Sequence, residues 1–123
     1  MAVIFETGRL RARDWSLDDA EPAFGIYGDP EVMRYLGSAP NPARDVADQR
    51  ERLARRIAQE SPAGLGVWAL DRRADDVLVG AVILNPFPDI EPTEVEVGWH
   101  LGRAYWGNGY ATEAGAAALD HGF

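Results

Sequence analysis

The chain has 123 residues, 46% of them hydrophobic and 26% charged, with a net charge of −8 and no cysteine. That length fits one domain, 1–123, able to bury about two-thirds of its unfolded surface. The lack of cysteine excludes a disulfide framework, a thiolate metal site and a cysteine nucleophile, and His100 and His121 lack zinc-motif spacing, so no metal is expected. The acidity argues against nucleic acid as a partner, because phosphates need a basic surface. It suits a cationic substrate such as an amine and, equally, plain solubility. No leader-like segment opens the sequence and no stretch approaches the roughly 20 apolar residues of a membrane span, so a cytoplasmic location without a membrane partner is expected.

In chain order, residues 8–14 alternate polar and apolar side chains, which predicts a half-buried strand, placed at a sheet edge because of its arginines. Ser16 before Leu17-Asp18-Asp19 is a capping-box-like helix start. Leu17, Ala20, Phe24 and Tyr27 follow at helical spacing, with Pro22 placed to kink the helix or split off its first turn. Asp29-Pro30-Glu31 is a second start, opening a short helix through Leu36 that Gly37 ends. Residues 38–42 read as loop. A longer helix is expected over 43–60, with Val46, Leu53 and Ile57 as a narrow apolar stripe and Asp48–Arg52 and Glu51–Arg55 as acid-before-base pairs.

From residue 61 the pattern changes. The aliphatic runs 66–70 and 77–84, separated by the polar turn 72–76, predict an antiparallel hairpin, with Trp68 read as core or sheet surface. Three prolines make 85–92 a loop. Residues 95–101 form the next strand, whose parity puts Glu94, Glu96, Gly98 and His100 on one face and Val95, Val97, Trp99 and Leu101 on the other. The turn Trp106-Gly107-Asn108-Gly109 then leads into an alanine-rich helix, slightly weakened by Gly115, whose end is marked by Gly122. His121 near that end reads as a dipole partner. The sum is an α+β domain with a mainly antiparallel sheet flanked by helices.

The stretch from Glu96 to Ala114 carries the chemistry. A strand passing through a glycine turn into a helix presents successive backbone N–H groups and a helix dipole to an anion, with no lysine required. Gly107 and Gly109 can take positive φ and let a phosphate approach the backbone. A Rossmann site does not fit, since Thr112 stands where its third glycine would be, and the P-loop Gly-Lys-Ser/Thr is absent.

The runs Glu96-Val97-Gly98-Trp99-His100-Leu101 and Tyr105-Trp106-Gly107-Asn108-Gly109-Tyr110-Ala111-Thr112-Glu113-Ala114 closely resemble GNAT acetyltransferases, and most of all the ribosomal-protein N-terminal acetyltransferase branch. Leu10-Arg11-Ala12-Arg13, Asp19-Ala20, the segment from Asp29 to Leu36 and Val79-Gly80 agree in order. The resemblance implies transfer of an acetyl group from acetyl-CoA to a primary amine, a protein N-terminal amine among the candidates, by direct attack. It implies that the backbone N–H groups of Trp106, Gly107, Asn108, Gly109, Tyr110 and Ala111 hold the pyrophosphate. Trp99, His100 and Leu101 would offer main-chain bonds to the pantetheine arm. Where the family often has Gln or Arg, three residues before the first turn glycine, this chain has Ala104 with Arg103 beside it.

Glu96 is the candidate base, with Glu94 second and a solvated strand carboxylate as the bland reading. Met33 and Tyr35 fall where the family forms its substrate rim, and Trp15, at the strand–helix junction, is a candidate to line the acceptor pocket; His100 is read as a strand side chain and not a base. The family's domain continues with a strand splaying from 95–101, a further helix and closing strands, so the chain reads as the C-terminally truncated, cofactor-binding part. Its 95–101 edge is then open for pairing with a second chain or copy. The preferred reading is a piece of a longer enzyme; a partner supplying the missing strands, or a degenerate acetyl-CoA-binding module without catalysis, are the alternatives.

Overall fold

The computed structural model describes residues 3–34, 42–58, 66–86 and 95–122, with backbone alone at 85–86, 95–97 and 121–122. Five strands lie in one antiparallel sheet in chain order: β1 (Val3–Glu6), β2 (Leu10–Arg13), β3 (Gly66–Arg72), β4 (Val77–Pro86) and β5 (Val95–Leu101). Helices α1 (Ala20–Tyr27), α2 (Pro30–Met33) and α3 (Val46–Ala58) precede β3, and α4 (Tyr110–Gly122) follows β5. The α+β expectation holds, and the hairpin read from 66–70 and 77–84 forms, but β4 runs on through Asn85 and Pro86, expected as loop, because they pair with Glu96 and Val95 of β5.

Two apolar clusters divide the layers. On one face Leu10, Leu70, Val82, Leu84 and Leu101 pack with Tyr110, Ala114 and Ala118 of α4. On the other, Ala69 and Leu78 meet Ala23 and Ile26 of α1 and Val32 of α2. Each such large side chain, fully buried, contributes about 1.5–3 kcal/mol. Trp68 is core, edge-on to Phe5. A bulge in β4 lets both Leu70↔Gly80 and Asp71↔Leu78 pair, leaving Val79 extra between them.

Helix starts follow the sequence. Ser16 and Asp19 complete a reciprocal capping box over a 3₁₀ turn, Leu17–Asp19, which is the first turn split from α1 ahead of Pro22. The Asp29 side chain accepts from the Glu31 N–H at α2, with Pro30 at its first position. Residues 35–41, including Tyr35 and Gly37, lie outside the described residues.

Two further expectations are corrected. Residues 10–13 are not an edge strand: β1 covers them on the outer side, built from Val3, Ile4 and Phe5. The arginines mislead because Arg13 is neutralised internally. Its guanidinium lies 2.6 Å from Asp71 on β3 and 2.9 Å from Asp19, with side-chain exposures of 9%, 6% and 10% in that order. Nor do Val46 and Ile57 join a buried stripe: they are 39% and 45% exposed while Leu53 is 3% exposed. Eight-residue α1, about 12 Å long, cannot cover thirteen-residue α3, about 20 Å long, at both ends. The Asp48–Arg52 pair does form, at 3.1 Å.

Removing one partner from the buried Arg13 pair leaves uncompensated charge, so Arg13→Ala is expected to cost about 3–5 kcal/mol in denaturant unfolding. Arg11→Ala, which removes an exposed pair with Asp76, should leave the midpoint unchanged within error. Equal midpoints for the two variants would contradict this assignment.

Candidate functional site

The β5–α4 connection builds the site. Gly107 and Gly109 take φ of +80° and +76°, the conformations the sequence required of them. The turn is pinned on three sides. The Trp106 indole N–H donates to the Leu101 carbonyl at 3.0 Å, and the Asn108 amide donates to the carbonyls of Tyr105 and Trp106 at 3.0 and 3.3 Å. From the β1–β2 turn, Arg9 Nη1 donates to the Asn108 carbonyl at 2.8 Å. The N–H of Trp106 is already spent on the Arg103 carbonyl at 3.3 Å, whereas those of Gly107, Asn108, Gly109, Tyr110 and Ala111 have no acceptor among the described residues. Five donors at the N-terminus of a thirteen-residue helix form a cradle of the kind that an anion requires. Nothing lies within 4 Å of the space a Gly107 Cβ would fill.

Beside the cradle runs β5, the last strand of the sheet, paired with β4 alone among the described residues. A Cβ on Gly80 would stand 1.9 Å from the His100 carbonyl oxygen, and the Gly102 N–H donates to the Val79 carbonyl at 2.9 Å. The main chain at His100 and Gly102 thus faces β4, and by strand alternation that of Trp99 and Leu101 faces the open edge. Trp99 is 47% exposed, beside Gly115 of α4.

On the opposite face, His100 Nδ1 lies 2.8 Å from the Tyr27 hydroxyl, ring edge to ring face. Burial, helped by the charge of Arg56, lowers the imidazole to about 4, and burial raises the Tyr27 phenol above its ordinary range. His100 is therefore neutral at pH 7 and ties β5 to the end of α1. A cleft of about 590 Å³ opens between α1 and residues 102–105, bridged by Arg103 and Asp29 at 3.1 Å.

The remaining expected residues are spread around this centre. Glu96 sits in β5 opposite Asn85, with its side chain outside the described residues, as are Glu94 and the side chain of His121. Trp15 packs on the α1–α2 cluster, and its Nε1 is buried without a partner among the described residues. Met33 is half-buried at the end of α2, and Tyr35 is outside the described residues. Ala104 is exposed. Sequence reasoning missed Arg9, Glu113 and Tyr27, because each acquires its role from a partner on a distant element.

The folded His100 binds its proton less tightly than the unfolded chain, near 6.5, so its contribution is complete above that pH and is lost as pH falls toward 4. Unfolding midpoints should decline between pH 7 and 5, and the decline should be shallower in His100→Gln. Parallel pH profiles for the two proteins would refute the buried neutral imidazole.

Comparison with known proteins agrees with this geometry. A model of the acetyltransferase (GNAT) domain matches residues 9–123. The N-acetyltransferase p20 of Bacillus licheniformis is 31% identical over 119 residues, covering 95% of this chain and 64% of that protein. A GNAT-family acetyltransferase structure from Bacillus anthracis superposes with a TM-score of 0.79 at 23% identity, covering 99% of this chain and 66% of the other. The ribosomal alpha-N-protein acetyltransferase RimL, solved with coenzyme A, shares the fold at 15% identity with a TM-score of 0.71, over 97% of this chain and 66% of that one. The chain spans just under two-thirds of the length of the first curated relatives it matches. A glycine cradle between an edge strand and a small-residue helix, matched over almost the whole length by the domain model, places this chain in the GNAT acetyltransferase family.

Proposed function

We propose that 1–123 forms the cofactor-binding part of an N-acetyltransferase that moves an acetyl group from acetyl-CoA to a primary amine. The observation that carries this is the row of N–H groups from Gly107 to Ala111 with no acceptor among the described residues, on a turn whose glycines leave room for a phosphate. These groups would hold the pyrophosphate, and the main chain of Trp99 and Leu101 at the open edge would pair with the pantetheine amides. His100, whose main chain faces β4, would serve the site through its side chain by holding α1 against β5.

A thioester bound there supplies an activated acetyl carbon. The amine nitrogen would bond to that carbon, the C–S electron pair would go to sulfur so that the CoA thiolate leaves and is protonated, and the ammonium proton must leave. Glu96 is assigned to take it, as the carboxylate four residues before His100 on the same strand. Trp15 and Met33 are assigned to the acceptor side, with Tyr35; the orphan Trp15 indole N–H supports that role. A protein N-terminal amine is one acceptor class, a small-molecule amine another. The reading includes a cytoplasmic enzyme without a metal.

Calorimetric titration of the 123-residue chain with acetyl-CoA should give saturable binding, lost when Gly107 and Gly109 are both replaced by valine. No binding by folded protein, or binding indifferent to these replacements, would refute the cradle. If thiol release with an amine panel follows, Glu96→Gln should lower kcat about 10²–10⁴-fold with little change in acetyl-CoA affinity. Unchanged turnover across pH would remove Glu96 from the reaction.

A further inference from the structure

The cradle is held by a contact that spans the sequence. Arg9 and Glu113 are 104 positions apart, yet Arg9 Nε lies 2.8 Å from one Glu113 carboxylate oxygen, and the other accepts the Arg9 backbone N–H at 3.1 Å. The Thr7 hydroxyl donates to that second oxygen too. Thr7 is itself fixed in the β1–β2 turn, its N–H on the Leu10 carbonyl at 2.8 Å and its hydroxyl accepting from the Leu10 N–H at 3.0 Å. Burial would raise the Glu113 carboxyl, but the hydrogen bonds from Thr7 and Arg9 outweigh it and hold it below its ordinary range.

Arg9 is thereby aimed. Its guanidinium carbon stands 4.7 Å from the Tyr110 ring centre, and Nη1 reaches the Asn108 carbonyl at 2.8 Å. Among the described residues there is no cis peptide, and in a trans peptide the C=O and the following N–H point in opposite directions. Fixing the Asn108 carbonyl on Arg9 therefore turns the Gly109 N–H away from the β1–β2 turn. The neighbouring peptide is set from the helix side, where the Gly109 carbonyl accepts from the Glu113 N–H at 3.1 Å. Glycine at φ +76° has no side chain to hold this orientation, so without an outside partner the Asn108–Gly109 peptide is less restrained.

We propose that Arg9, locked by Glu113 and Thr7, is a positioning residue that orients the Gly109 N–H toward a bound pyrophosphate. The inference rests on the acetyl-CoA reading above. It assigns to a residue outside the glycine motif part of that motif's affinity.

The test is calorimetric titration of the 123-residue chain with acetyl-CoA, with the Gly109 amide followed by ¹H–¹⁵N NMR. The wild-type chain should bind saturably, with a downfield shift of the Gly109 amide proton. Arg9→Met, which keeps the stem over Tyr110, and Arg9→Lys, which keeps the charge without the fork, should each weaken binding about tenfold and shrink that shift. Glu113→Gln, the milder change, should fall between them and wild type, and it carries the test should the Arg9 variants not fold. Wild-type affinity in the variants, or weaker binding with the full Gly109 shift, overturns the positioning role while leaving the acetyl-CoA reading intact. A wild-type chain that binds no acetyl-CoA overturns that reading, and this inference with it.

Discussion

One buried cation organises this fold. Arg13 on β2 lies between Asp71 on the neighbouring β3 and Asp19 in the turn before α1, contacting both carboxylates with paired nitrogens. Asp19 also accepts the Ser16 N–H, so the arginine and the capping box share one carboxylate. Sheet and helix are thus joined by charge at the point where the chain leaves one for the other. The direction of α1 follows from that junction, and α1 in turn brings Tyr27 to His100 and Ile26 to the cleft beside Gly102. Buried ion pairs add little net stability but are costly to break, so the triad acts mainly by fixing one geometry.

The electrostatics of the cradle end are local. Arg9, Arg11, Arg72 and Arg73 gather there on a chain that is acidic as a whole, but each is paired with a carboxylate: Glu113, Asp76, Asp75 and Glu6. Side-chain charge is therefore spent on joining turns to one another, and the attraction for an anion is left to backbone dipoles. Such dipoles act at short range and in fixed directions, which makes affinity depend on the orientation of a few peptides more than on net charge.

Much of this was legible in the sequence because it depends on neighbours in the chain. The capping box at Ser16, the Asp29-Pro30 start, the positive φ of Gly107 and Gly109 and the 66–86 hairpin are all local devices. What escaped is non-local. Arg13 read as an edge residue because Asp71, 58 positions away, cannot be paired with it by inspection. β1 escaped because four residues carry too weak a period, and the exposure of Val46 and Ile57 depends on the length of another helix. At the site, the motif announced the positive φ of the two turn glycines, while the Arg9–Glu113 contact and the Tyr27–His100 pair exist only once the chain has folded.

The two turn glycines differ in a way that their shared motif conceals. A side chain at 109 would approach the Arg9 guanidinium at 3.5 Å, whereas one at 107 would meet open space. Within the protein itself, the demand at 107 is for handedness, since φ of +80° is strained for an L-residue and relaxed for its mirror image. A chemically synthesised chain with D-alanine at 107 would fit this turn where L-alanine strains it, and would lose some of the backbone entropy that glycine retains when unfolded.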